Sequence, residues 1–265
     1  QLHRRQRQMC IRDRSKVVDD ASAEFEKGKV TSIIGPNGAG KSTLLSMASR
    51  LIDKDGGQVF IDCRSLSEWD TKELAKRLAV LRQANNITMR FTVKEMVSFG
   101  RFPYSQGKLT EADQQVIDKS ISYLDLSDIQ NKYLDELSGG QRQLAFIAMV
   151  MAQDTDYVFL DEPLNNLDIK HSLQIMRNVG RLAHEMNKAV VVVIHDINFA
   201  ACYSDRIIAL KKGRVVAQGP VSEVIQSDIL ESIYETPFNI IEVNGKRMCT
   251  YCLLYTSDAA DDGVG

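Results

Sequence analysis

The chain has no apolar run near the roughly 18–20 residues that span a bilayer; its longest unbroken apolar stretch is residues 144–152, followed by residues 189–194. On this reading it does not itself cross a membrane. It also lacks a basic excess, with 33 Lys and Arg against 35 Asp and Glu for a formal net charge of −2. That balance gives no electrostatic reason to expect a nucleic-acid partner. The opening QLHRRQRQMCIRDRS is basic but has no apolar core of the kind a secretory signal needs, so the expected compartment is the cytosol. Five cysteines follow no regular spacing. Cys249 and Cys252 form one CxxC, without the two further ligands of a zinc site, and read as incidental thiols of a reducing compartment. No internal repeat is visible.

What is present is enough for one large α/β domain: 265 residues, 44% hydrophobic and 26% charged. From Val30 onward, short β-rich runs alternate with helical patterns, the signature of a parallel sheet covered by helices. Strands are predicted at 30–34, 78–81, 157–160, 190–194 and 207–210. The runs VFL and VVVVI are apolar without alternation, as strands buried on both faces should be. Ala21, Ala23 and Phe25, together with residues 58–61 after Gly56-Gly57, read as a half-exposed antiparallel layer. Helical patterns at 93–99, 111–124 and 141–152 read as a helical subdomain, about 84–152, inserted into the sheet domain. Asn244-Gly245 marks a hairpin. The folded domain is expected over 16–251. Residues 1–15 and 252–265 lack periodicity and read as non-native or disordered ends.

Three stretches carry chemistry. Gly35, Pro36, Asn37, Gly38, Ala39, Gly40, Lys41, Ser42 and Thr43 fit GxxxxGK[ST], between the strand VTSII and the helix STLLSMASRL. The glycines let backbone N–H groups and a helix N-terminus face a phosphate. Lys41 supplies charge for the β- and γ-phosphates, Ser42 a ligand for Mg²⁺, and Thr43 a contact near the α-phosphate. Asp161 and Glu162 end a buried strand at the edge where open α/β sheets bind ligands. Asp161 is placed to hold the Mg²⁺ shell and Glu162 to polarise the attacking water. His195 follows another apolar strand and emerges at the same edge. His171 and His184, on a predicted helix, read as solvated.

Ser138, Gly139, Gly140 and Gln141 open a long helix with a second Gly-rich, Ser-capped turn. One nucleotide does not need two such sites, so ATP is expected to lie sandwiched between two copies. LSGGQ beside the phosphate loop resembles the ATP-binding-cassette family, over roughly residues 17–250. The resemblance implies a P-loop ATPase fold with ATP and Mg²⁺ as ligands. It also implies a homodimer, membrane-spanning permease subunits, an indirect solute-binding protein, and a place at the cytoplasmic face of the membrane. By the same resemblance Gln83 is the glutamine-loop residue that contacts Mg²⁺ and water, Asp168 belongs to the loop that crosses the dimer interface, and His195 is the switch histidine. The adenine-stacking aromatic expected upstream of the phosphate loop is missing, with QMCIRDR in its place. Leu144 stands where many relatives have a basic residue, at a position expected to carry no chemistry. Phe99-Gly-Arg-Phe-Pro-Tyr104 and AQDTDYVFLDEPLNNLDIKHS resemble importers of ferric siderophores and related iron chelates, with cobalamin or haem importers as the alternative. Arg101 and Tyr104 themselves read as surface contacts. A soluble relative acting on nucleic acid is the remote rival, since Lys41 and Ser138 are too close in sequence for a long coiled coil between them.

Overall fold

The computed structural model describes residues 10–11, 15–19, 21–83 and 89–250. The tail at 252–265, Cys252, and nearly all of the leader at 1–15 lie outside the described residues.

A six-stranded sheet organises the chain. In sequence order its strands are β1 Lys29–Ile34, β2 Leu78–Leu81, β3 Tyr157–Asp161, β4 Ala189–Val193, β5 Arg206–Lys211 and β6 Arg214–Pro220, arranged in space as β6-β5-β1-β4-β3-β2. The five strands from β1 to β5 run parallel, and β6 adds an antiparallel edge. Val190, Val191, Val192 and Val193 are wholly buried. Four β-branched side chains pack on both faces of a pleated strand, each contributing about 1.5–3 kcal/mol of apolar burial. β6 was not expected. Alternate residues of it are exposed, and it follows a two-residue turn in which Lys212 and Gly213 both have positive φ (48° and 78°), a type I′ geometry.

The predicted antiparallel layer is much reduced. It appears as the pair Phe60–Ile61 and Arg64–Ser65, joined by Asp62 and Cys63 with φ of 49° and 62°. Phe25 is not in a strand; its ring packs edge-on against Phe159 at 5.4 Å, which buries apolar area without a ladder. The predicted hairpin is present as Asn239–Val243 paired with Lys246–Thr250 around Asn244 and Gly245, both at positive φ.

Helix α1, Lys41–Ala48, packs on one face of the sheet with Val191, Val193 and Phe159. On the other face lie α2 Val93–Ser98, α3 Glu111–Tyr123, α4 Gly139–Ala152 and α5 Ile169–His184. Their apolar sides share one core with Leu81, Leu160 and Val192 of the sheet. Thr92 with Glu95, and Thr110 with Asp113, form capping boxes that start α2 and α3. Leu144 is buried in that core and makes no polar contact there.

Arg101 is not a surface contact. It is buried, its Nε donates to Asp113 Oδ1 at 2.8 Å, its Nη1 donates to the Ala152 carbonyl, and its guanidinium lies 3.9 Å from the Tyr104 ring. Tyr104 donates to the Gln153 carbonyl, and Gln153 Nε2 donates to the Ala75 carbonyl just ahead of β2. The reason is geometric: Gly100 sits so close to α4 that a Cβ there would lie 2.1 Å from the Met149 carbonyl oxygen. That approach carries Arg101 beneath the end of α4, where a cation must be paired.

The Asp113 carboxyl is held down at about 2, first by the Thr110 backbone N–H, then by the Thr110 hydroxyl and Arg101. A carboxylate lowered in this way stabilises the fold above its unfolded value and loses the contribution as pH falls through about 2. Asp113→Asn is therefore expected to lower stability in urea melts at pH 7. The gap to the parent protein closes as the pH is taken from 4 toward 2.

Candidate functional site

The register of the sheet places the site. Ile33 pairs with Val193, Val193 with Asp161, and Leu160 with Leu81. Because β1, β4, β3 and β2 are parallel neighbours, the residues just past their carboxyl ends emerge along one edge. Those residues are Gly35, His195, Glu162 and Gln83.

The loop after β1 is built to leave donors exposed. Gly35, Gly38 and Gly40 have φ of 146°, 76° and 96°, conformations that L side chains rarely adopt. At Gly35 a Cβ would lie 2.1 Å from the Leu210 carbonyl oxygen and at Gly40 2.7 Å from that of Val17, so both positions admit the backbone alone. Gly38 faces open space. Helix α1 begins at Lys41 with no side-chain cap at Gly40, in contrast to Ser138 at the start of α4 and Asp168 at the start of α5. Its first-turn N–H groups are left to an external acceptor, the arrangement that binds phosphate. Thr43 follows on this first turn.

Lys41 is buried and folds back to donate to the carbonyls of Gly35 at 2.8 Å and Pro36 at 3.0 Å. Asn37 and Ala39 complete the turn between them, with the Ala39 N–H donated to the Pro36 carbonyl. Burial lowers the Lys41 pKa against the opposing pull of Glu162 and Asp161. Burial likewise raises the Asp161 pKa, countered by the Ser42 hydrogen bond and reinforced by the Glu162 charge. Both groups are thus pushed toward neutrality. An anion beside Lys41 and a cation beside Asp161 would oppose both shifts and favour the charged forms. Ser42 Oγ donates to Asp161 Oδ1 at 2.7 Å, which brings a hydroxyl and a carboxylate oxygen together as hard ligands suited to Mg²⁺.

Glu162 is the meeting point of the remaining groups. His195 Nε2 lies 2.6 Å from its Oε1, and Gln83 Nε2 donates to its Oε2 at 2.5 Å. Asn165 donates to the same Oε2. Glu162 itself has φ of 51°, a strained backbone for a residue with a side chain, and such strain gathers at functional sites. Sequence reasoning placed Asp161, Glu162 and His195 at this edge and reached Gln83 through the family resemblance, but missed the contact from Asn165, which depends on the turn that the Glu162 backbone makes.

Ser138 and Gln141 form a capping box of their own: the Ser138 hydroxyl accepts from the Gln141 N–H and Gln141 Oε1 accepts from the Ser138 N–H, each at 3.2 Å. Ser138 and Gly139 are exposed, whereas Gly140 is buried. Among the described residues, no hydrogen bond links 138–141 to 35–43. Asp168 caps α5, accepting from the His171 N–H and standing 2.8 Å from His171 Nδ1. His171 is therefore paired and half-buried rather than solvated, while His184 lies 2.8 Å from Asp205.

Two glycine substitutions separate architecture from ligand contact. Gly35→Ala, driven into the Leu210 carbonyl, is expected to lower the melting temperature and abolish ATP binding together. Gly38→Ala meets nothing and is expected to cost only the left-handed strain of about 1–2 kcal/mol, while still weakening ATP binding. Thermal melts and titration with a fluorescent ATP analogue check both.

Residues 18–165 match the family model described as ABC transporter. The chain is 58% identical over 235 residues to the petrobactin import ATP-binding protein YclP of Bacillus subtilis (strain 168), covering 89% of this chain and 93% of that one. It is 38% identical over 241 residues to the iron(3+)-hydroxamate import ATP-binding protein FhuC of the same organism, covering 90% and 89%. It is 39% identical over 226 residues to the hemin import ATP-binding protein HmuV of Rhodococcus jostii (strain RHA1), covering 85% and 77%. Among solved structures, the dimeric bacterial ABC transporter cassette MJ0796 superposes with a TM-score of 0.72 at 28% identity, covering 83% of this chain and 99% of that one. The same cassette in a dimeric post-hydrolysis state bound to ADP and Pi gives the same figures. With a family match across the phosphate loop and the acidic strand end, and relatives this similar over most of their length, the chain belongs to the ABC transporter family as an ATP-hydrolysing subunit.

Proposed function

We propose that two copies of this chain clamp ATP head to tail and use its hydrolysis to drive import of a ferric siderophore or a related iron complex. The observation that carries the reading is the split between two anion sites. One edge of the sheet gathers Lys41, Ser42, Asp161, Glu162, Gln83 and His195, while residues 138–141 stand apart from it with Ser138 and Gly139 facing solvent. A second copy supplies what each copy lacks at its own phosphate loop.

In this reading the N–H groups of residues 35–43 hold the phosphates, and Lys41 turns from its two carbonyls toward the β- and γ-oxygens. Ser42, Asp161 and Gln83 are the residues that would hold Mg²⁺, which when bound supplies neutralising charge to the phosphates. Glu162 gives up one of its present donors to a water and accepts its proton as the water attacks the γ-phosphorus. His195 holds the Glu162 carboxylate in place and hydrogen-bonds the γ-phosphate. Ser138, Gly139, Gly140 and Gln141 of one copy cap the γ-phosphate held by the other, with Asp168 at the seam. ATP contacts both halves only when they are closed, so it shifts the population toward the closed dimer and hydrolysis removes that bias.

The iron-complex assignment draws on the printed functions of the relatives, with petrobactin import at 58% identity set against hemin import at 39%. A permease would dock beside Gln83 and the helical segment after it, where Met89, Phe99 and Phe102 expose apolar surface. No helix among the described residues is long and apolar enough to cross a membrane. As the ATP-hydrolysing subunit, the chain would act on such a partner from the cytoplasmic face, where ATP is supplied. A solute-binding protein would deliver the iron complex to that permease.

Glu162→Gln is the decisive variant. It is expected to keep ATP binding, lower hydrolysis by about 10²–10⁴-fold, and accumulate a dimer with ATP in light scattering. Hydrolysis at the parent rate by a protein that stays monomeric would contradict both the base and the sandwich.

A further inference from the structure

The loop that would cap the partner's ATP and the loop that would line the seam touch one another within a single chain, and one side chain joins them. An ideal Cβ at Gly140 would lie 2.2 Å from both Cγ and Cδ2 of His171. The imidazole thus presses directly on the Gly140 backbone, in the first turn of α4. Its Nδ1 stands 2.8 Å from Asp168 Oδ1, the same oxygen that accepts the His171 backbone N–H at 2.8 Å. Leu167 lies alongside, its Cδ2 methyl 3.7 Å from where a Cβ at Gly139 would stand. The steric fit of the ring holds residues 138–141 against residues 167–171, and the hydrogen bond to Asp168 orients the ring that makes that fit.

We infer that His171 is a positioning residue: its ring sets the spacing and tilt of residues 138–141 relative to Asp168, so that both reach the partner's nucleotide together. The inference rests on the head-to-tail reading above. Gly140 is required on this account because the ring occupies the space a side chain would take, which is a stricter demand than freedom of the backbone. On this reading His171 is not among the residues that contact phosphate or the attacking water. It acts through the two loops it holds, so its loss misplaces the groups offered to the other copy and leaves the chain's own phosphate loop intact. The consequences of a misplacement of this kind are large, because hydrogen bonds to phosphate fall off steeply with distance and angle.

The test separates action on the partner from action within the chain, using full-length protein in the Glu162→Gln background. ATP affinity of the monomer is measured at low protein concentration, and ATP-dependent dimerisation is measured by analytical ultracentrifugation. For His171→Ala the expectation is monomer affinity within about twofold of the Glu162→Gln parent and dimerisation weakened by about tenfold or more. His171→Phe, which keeps a ring against Gly140 without the hydrogen bond to Asp168, is expected to recover part of the loss. If the alanine variant does not fold, His171→Asn, which withdraws the ring and keeps a polar group near Asp168, carries the same expectation. Dimerisation as tight as in the parent, or a parallel fall in monomer ATP affinity, would overturn the inference while the sandwich stands. A Glu162→Gln parent that stays monomeric with ATP would remove the sandwich reading and the inference with it.

Discussion

Parallel pairing of β1 with β4, β4 with β3 and β3 with β2 is the constraint from which the site follows. Four strands that run the same way end at the same edge, and the pairing of Val193 with Asp161 and with Ile33 fixes how far each one reaches. A register slip of one residue would turn Asp161 away from Ser42 and exchange the faces of every valine in β4. The buried valines therefore do more than stabilise the sheet: they hold Ser42 and Asp161, far apart in sequence, 2.7 Å from each other. Gln83 and His195 meet Glu162 from just past these strand ends, with little loop to order before they do so.

The two Gly-rich helix starts illustrate how similar sequences acquire different physical states. At α1 the preceding residue is Gly40, which offers no side chain, and the first-turn donors are left for a ligand. At α4 Ser138 and Gln141 satisfy each other, which keeps the turn ordered while it faces solvent. Burial pushes Lys41 down and Asp161 up in pKa, so the first site is electrostatically costly until ions of the right sign enter it. The second site is self-sufficient in the single chain. This asymmetry is what a composite site shared by two copies requires.

Much of this could be read in the sequence, and what could not be read has physical causes. The uninterrupted runs VVVVI and VFL announced central strands, and the glycine spacing with Lys41 announced the phosphate loop. β6 escaped notice because half its residues are exposed and its turn is Lys-Gly rather than a stronger hairpin pair. The antiparallel layer was over-read because alternation at Ala21, Ala23 and Phe25 reports burial, which Phe25 achieves by an edge-on contact instead of a ladder. Arg101 looked like a surface residue because its partners, Asp113 and the Ala152 carbonyl, are set by the close approach of Gly100 to α4. His171 was missed for the same kind of reason: its role depends on a contact across space with Gly140, and no local pattern encodes it.

The central claim is that each ATP is held by the phosphate loop of one copy and capped by residues 138–141 of the other. Mixing two separately inactive chains, Lys41→Ala and Ser138→Arg, tests it most directly. In a head-to-tail pair of unlike chains, one of the two composite sites has both an intact Lys41 and an intact Ser138. The account predicts that the mixture regains ATP hydrolysis that neither chain shows alone. A mixture no more active than its components would contradict it.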